Sequence, residues 1–196
     1  MSKELEAFQL LRKLAEHLAS VPETEWLYFQ NSLRYAEWPA ETTLIREGDG
    51  ARYAYFVVKG ILESLYITDA GEEVIHRFSP EFDFAAPYVG LLKNESSDCT
   101  IRTVEDSSLV IIDYDFWQRS LIGRHLCWDR LARKIAELEF INRAIREKHF
   151  LILDTRERYE FFKRNFPKLE GRIPQYKIAS YIGVTPVTLS RSINKN

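Results

Sequence analysis

Residues 173–191 read IPQYKIASYIGVTPVTLSR, and the rest of the chain is interpreted outward from them. Pro174 stands at a helix start, where a missing N–H costs little, and Ile178, Ala179 and Ile182 follow at helical spacing. Gly183 breaks that helix and permits a left-handed turn. Thr185-Pro186 repeats the cap-plus-proline start for a last helix of Val187 to about Asn194, with Leu189 and Ile193 inward. Two short helices joined by a tight, Gly-containing turn predict a helix-turn-helix, whose second helix lies in the major groove of DNA. The outward face of that helix is Pro186, Val187, Thr188, Ser190, Arg191, Asn194 and Lys195. Arg suits bidentate reading of guanine, Asn of adenine, and the methyl groups of Thr and Val suit thymine. Thr185 at the helix start places backbone N–H groups beside a phosphate. The same spacing also occurs in helical bundles that never touch DNA.

Charge favours the DNA reading. The net charge is -2, but residues 1–150 hold 18 Lys and Arg against 25 Asp and Glu, whereas residues 151–196 hold 9 against 4. From Gly171 onward there is no acidic side chain, while Arg172, Lys177, Arg191 and Lys195 remain, an excess suited to a polyanion. A small basic tail is otherwise a solvated face.

Upstream the period changes. Between about Arg34 and Asp113 lie short runs rich in β-branched and aromatic residues: 42–46, 53–59, 61–68, 73–78, 100–104 and 108–113. Turn residues punctuate them at Glu47-Gly-Asp-Gly50, Lys59-Gly60, Asp69-Ala-Gly71 and Ser79-Pro80. Strands at this spacing predict a sandwich or barrel. Residues 2–20 and 23–33 read as flanking helices. The first interleaves Lys, Glu and Arg with Leu5, Phe8, Leu11, Leu14 and Leu18, unlike a signal peptide. The longest apolar runs fall far short of the ~18 residues a membrane span needs, and two cysteines, Cys99 and Cys127, form no disulfide framework.

Beyond Tyr114 the pattern is helical for about thirty-five residues. A heptad register from Leu121 passes through Arg124, Trp128, Leu131, Ile135, Leu138, Asn142, Ile145 and His149. That seam lies either against the chain's own β-domain or against the same helix of a second chain. Asn142 favours the second, because one Asn in a seam fixes the register of a parallel coiled coil. Asp154-Thr-Arg-Glu157 then caps a helix carrying Tyr159, Phe162 and Phe166 on one face.

Taken together, Thr43-Leu-Ile-Arg-Glu-Gly-Asp49, Tyr55-Phe-Val-Val-Lys-Gly60, Asp69-Ala-Gly71 and Phe82-Asp-Phe84 resemble the cyclic-nucleotide-binding jelly roll of the Crp/Fnr transcription regulators. Residues 173–191 are similar to that family's DNA-reading motif, and the helix from Leu121 takes the place of its dimerisation helix. The resemblance covers roughly residues 25–196. It implies an α+β chain with three parts: a sensor roll with flanking helices (1–120), a dimerisation helix (121–150) and a helix-turn-helix, winged-helix-like DNA-binding domain (151–196). It also implies a cytoplasmic homodimer whose partners are double-stranded DNA, RNA polymerase and an unknown small-molecule effector, with no membrane.

Three departures qualify it. Pro87 stands where nucleotide-binding members carry the Glu that holds the ribose, Ser97 where they carry the phosphate-binding Arg, and Asp98 where a Ser follows. Pro87 cannot accept a ribose hydrogen bond, and Asp98 repels a phosphate, so the expectation is a degenerate cassette that does not answer to cyclic AMP. Arg102 is the one cation nearby; it holds another anion or pairs with Glu105 or Asp106. The sequence ends at Asn196, straight after the reading helix, with none of the family's β-hairpin wing. Val187 replaces a Glu common in relatives, so the operator is not transferable.

Other chemistry finds little footing. His76 is the sole histidine of the strand region, with His17 and His125 or His149 on helices, so no metal ligand set assembles. Haem has candidate ligands in His76, Cys99, His125 and Cys127 but no defining spacing. No nucleophile elbow, Cys-His pair or phosphate-cradling loop is present, which argues against an enzyme. The aromatic set around Tyr55, Phe56, Phe78, Phe84 and Tyr88 is core or lines an apolar pocket. The competing reading is a small-molecule or haem sensor, or a protein-interaction module, on the same fold without DNA reading.

Overall fold

Eight strands form, six at the β-branched and aromatic runs and two, Arg34–Trp38 and Phe84–Ala85, outside them, and the computed structural model describes residues 2–194. They are β1 (Arg34–Trp38), β2 (Thr43–Ile45), β3 (Tyr53–Lys59), β4 (Leu62–Ile67), β5 (Glu73–Ser79), β6 (Phe84–Ala85), β7 (Thr100–Thr103) and β8 (Ser107–Asp113). Two antiparallel sheets of four strands result, in the orders β1-β8-β3-β6 and β2-β7-β4-β5. Ile45, Val57, Leu62, Ile101 and Leu109 meet between them as the inner core of a jelly roll. Between β6 and β7 a short helix, α3 (Tyr88–Lys93), interrupts the strand pattern; it had no periodic signal in the sequence.

The roll's other face buries a second core. Helices α1 (Lys3–Leu18) and α2 (Glu23–Gln30) lay Phe8, Leu11, Trp26 and Phe29 against Phe56 and Val110 of the sheet. Trp117 and Trp128 complete an edge-to-face aromatic group with Phe29, centroids 5.2 to 5.6 Å apart. The Trp128 indole donates to Glu25 at 2.9 Å, so this large side chain is buried without an orphaned N–H.

The long helix differs from the expected one at its start. After β8 come a short turn, α4 (Tyr114–Phe116), and a π-helical turn, Trp117–Leu121; the chain then leaves the helix through Gly123, at φ 77°. Helix α5 (Leu126–Ile152) begins five residues beyond Leu121, where the His125 ring accepts the Cys127 N–H at 3.2 Å. Leu121 and Trp117 are therefore core residues of the roll and not the first turn of a seam.

Three helices follow: α6 (Thr155–Asn165), α7 (Gln175–Ile182) and α8 (Pro186–Asn194). The Asp154 and Glu157 side chains cap α6 reciprocally. Gly183, at φ 74°, ends α7 in the left-handed conformation, and a Cβ there would lie 2.6 Å from the Phe150 ring. Only glycine fits both demands. Together α6, α7 and α8 form a head whose apolar side (Phe162, Ile178, Ala179, Ile182, Leu189) joins Ile61, Leu65, Ile75 and Phe78 of the roll in one cluster. The Ser180 hydroxyl accepts the Ile75 N–H at 2.9 Å and donates to the Glu73 carbonyl at 3.3 Å, fastening α7 along β5.

Candidate nucleic-acid interface

Leu189 of α8 is buried at 1 % exposure, which turns the opposite side of that helix outward. Thr185, Pro186, Val187, Thr188, Ser190, Arg191 and Asn194 are all exposed on that side; Lys195 lies outside the described residues. The Thr185 hydroxyl accepts the Thr188 N–H at 3.1 Å, so this side chain serves as the N-cap. No acidic side chain stands on the helix.

Two cations expected on the same surface are elsewhere. Lys177 is 1 % exposed, and its ammonium sits 2.9 Å from Glu41 and 3.0 Å from Glu63 of the roll. Arg172 is gripped by Glu81 and Glu105. Both are corrected from DNA contacts to ties between head and roll, because a guanidinium or ammonium held by two carboxylates has no free charge to offer a phosphate. Their pKa values move up accordingly, that of Arg172 through the hydrogen bonds it donates to Glu81 and Glu105, and that of Lys177 against the lowering effect of its burial, through those it donates to Glu41 and Glu63. Arg102 is not an anion-binding cation either: it bonds Glu63 at 2.5 Å and Glu73 at 2.7 Å, with Glu41 at 3.5 Å, and not Glu105 or Asp106. The partners of Lys177, Glu41 and Glu63, lie too far from it along the chain for any spacing rule to have found them.

The seam expected for dimerisation divides in two. Trp128 and Leu131 are buried in the chain's own core, at 0 % and 4 %, and Ile135 packs against the same core, so none of these three is free for a partner. Leu138, Asn142 and Ile145 are exposed. Around the helix, Leu138, Ile141, Ile145 and Ile152 share one exposed apolar face, flanked by Phe140 and Leu151 at 75 % and 77 % exposure. Asn142 stands beside that face and, with Ile145, lines the groove between α5 and the head.

At the cassette positions, Pro87 is buried as the N-cap of α3 and the Ser97 hydroxyl donates to the Cys99 carbonyl at 2.6 Å. Asp98 is half-buried. A cavity of about 370 Å³ lies between α1, the roll and α5, lined by Leu11, Leu14, Phe84, Leu91 and Ile135 with His76 and Arg143 at a polar end; Pro87, Ser97, Asp98 and Arg102 are not in its wall. His76 is half-buried and stacked on Tyr66, and burial, with Arg146, Arg143 and Arg77 nearby, pushes its pKa down to about 4. Among the described residues no group of three or more His, Cys, Asp or Glu could hold a metal ion, and no helix is long and apolar enough to cross a membrane.

The cyclic nucleotide-binding domain family model matches residues 36–122. No curated protein sequence matches the chain. Solved structures do. FixK2 from Bradyrhizobium japonicum superposes with a TM-score of 0.68 at 21 % identity, covering 82 % of each chain. The c-di-GMP responsive global regulator CLP of Xanthomonas campestris gives 0.66 at 17 %, covering 83 % of this chain and 86 % of its own. The regulator DNR from Pseudomonas aeruginosa gives 0.60 at 16 %, covering 98 % and 88 %. A roll of the cyclic nucleotide-binding type followed by a long helix and further helices is thus a fold this chain shares with Crp/Fnr-type regulators.

Proposed function

We propose that the chain is a sequence-specific DNA-binding transcriptional regulator of the Crp/Fnr type that acts as a homodimer. The observation that carries this reading is the exposed, acid-free outer face of α8, standing on a buried Leu189 and preceded by the Gly183 turn. In this reading α7 and α8 are the helix-turn-helix. Arg191 and Asn194 address base edges, Val187 and Thr188 meet thymine methyls, and the start of α8 meets a phosphate. The paired heads reach half-sites about one helical turn apart.

Dimerisation uses the exposed face of α5, with Ile141, Ile145 and Ile152 central. A stripe of this kind on an otherwise charged helix is what an interhelical seam buries. The roll does not answer to cyclic AMP, since Pro87, Ser97 and Asp98 supply neither the ribose acceptor nor the phosphate cation; saturable cyclic AMP binding in calorimetry would refute that part. RNA polymerase is a further partner of such a regulator. The test of the whole is sedimentation together with gel shifts on genomic fragments. A dimer whose DNA binding weakens steeply with salt is expected, and Ile145→Glu should yield a folded monomer with weakened specific binding. A wild-type monomer, or salt-insensitive binding, sinks the proposal.

A further inference from the structure

The last two turns of α5 make contacts on two sides. Ile145 and Ile152 are exposed on the side proposed for the partner, whereas Arg146 and Phe150 stand one turn apart on the side that meets the head. At 100° per residue, Phe150 and Ile152 lie roughly 160° apart around the helix. A Cβ on Gly183 would stand 2.6 Å from the Phe150 ring and 3.5 Å from Arg158 Nη1, so that ring lies directly against the turn between α7 and α8.

Two guanidinium groups lock that contact. Arg146 of α5 donates to the Tyr181 carbonyl at 2.8 Å, and Arg158 of α6 donates to the Ile182 carbonyl at 2.7 Å. Both carbonyls belong to the last turn of α7, where the helix supplies no donor of its own and its dipole favours a cation. The Arg146 guanidinium also lies over two rings, 4.6 Å from the Phe150 centroid and 4.1 Å from that of Tyr181, and Arg158 lies 5.1 Å from Phe150. Neither arginine has a carboxylate partner among the described residues. A carbonyl at a helix end, unlike a carboxylate on a flexible stem, has a fixed place and direction, so these bonds set an angle as well as a distance.

We propose that Arg146, Phe150 and Arg158 are positioning residues that clamp the seam-bearing end of α5 to the turn before α8, and so set the half-site spacing that the dimer accepts. The contacts run from one outer helix to the other in few steps: α8, the Gly183 turn, Phe150, the seam, and the same parts of the partner in reverse. The roll holds α7 separately, through Lys177 and Ser180. It packs on α5 at Trp128, Leu131 and Ile135, several turns before Phe150, so the clamp is what joins the far end of that helix to the head. The spacing role rests on the regulator reading above; the clamp itself does not.

The experiment compares the full chain with Phe150→Ala and with Arg146→Met, which keeps an apolar stem but loses the bond to Tyr181. Spin labels at the exposed positions of Ala144→Cys and Ser190→Cys, on chains diluted into unlabelled protein, read the angle between α5 and α8; Cys99 and Cys127 are buried. One narrow distance is expected for the otherwise wild-type chain and a broadened distribution for both variants. In parallel, gel shifts use the tightest duplex that the wild type recovers from a random-sequence library, the same duplex with two base pairs inserted at its centre, and a single half-site. The insertion turns one half-site by about 70° relative to the other. It should cost the wild type about a hundredfold in affinity and either variant about tenfold or less, while all three bind the single half-site equally. Distributions as narrow in the variants as in the wild type would overturn the clamp. Broadening with an undiminished insertion penalty, or with weakened half-site binding, would overturn its role in spacing. Broadening in a protein that recovers no duplex from the library would sink the regulator reading, and the spacing role with it.

Discussion

Helices α7 and α8 are of nearly equal length, eight and nine residues, and each carries one basic side chain among its described residues. Lys177 on α7 is buried between two carboxylates of the roll, whereas Arg191 on α8 is exposed and faces no acid on its own helix. The difference does not come from the helices themselves. It comes from what lies beneath: β4, β5 and β7 bring Glu63, Glu73 and Arg102 under α7, while α8 rests on α7 and α6 through Leu189 and leaves its far side uncovered. A basic residue in a basic segment is thus no guide to a nucleic-acid contact until the acids of the remaining chain have been placed.

The sharpest way to break this contrast is Lys177→Ala. It leaves the fully buried Glu63 with Arg102 alone, and removing one partner of a buried ion pair costs about 3–5 kcal/mol. Chemical denaturation reads it, and a loss near zero would mean that the head is not tied through Lys177. Next comes pH. His76, with its pKa lowered to about 4, stays neutral in the folded chain while the unfolded chain takes up a proton below its ordinary value of 6.5. Stability should therefore fall as pH drops from 6.5 toward 4, by roughly 3 kcal/mol at most, and His76→Phe should flatten that limb of the denaturation profile.

On α8 the effects move from stability to affinity. Arg191→Ala should weaken specific DNA binding by about 1–3 kcal/mol and relax the preference at one base pair, with unfolding unchanged within about 0.5 kcal/mol. Unaltered gel shifts would take Arg191 out of the reading set. Thr185→Ala has the smallest expected effect, about 1 kcal/mol of stability from the lost cap on Thr188, visible as a lower melting temperature. If α8 instead unfolds globally with this change, its packing on α7 is weaker than Leu189 implies.

Much of this was legible beforehand for a local reason. Pro174, Gly183 and Thr185-Pro186 act on their immediate neighbours, so α7, α8 and the turn between them could be read within a residue or so. The strands were legible because period two survives burial of one face. What failed was non-local. The fate of Lys177 and Arg172 depends on carboxylates brought near by the sheet, at sequence separations of up to 136 residues. The α5 seam divides for the same non-local reason: the roll and α1 cover its start at Trp128 and Leu131, while Leu138 and Ile145 of the same register lie on the uncovered face with Ile141 and Ile152.

The Ser180 bonds to β5 reach further than the docking of one helix. Strand β5 is the last in its sheet, paired on one side only with β4, and the head shields its open side. A fragment truncated after Ile152 would bare that ladder of N–H and C=O groups, together with Ile75 and Phe78, to any other copy in solution. Preparations of the isolated roll should then clump by strand-to-strand annealing, so the C-terminal helices double as a sheath that keeps the sheet from polymerising.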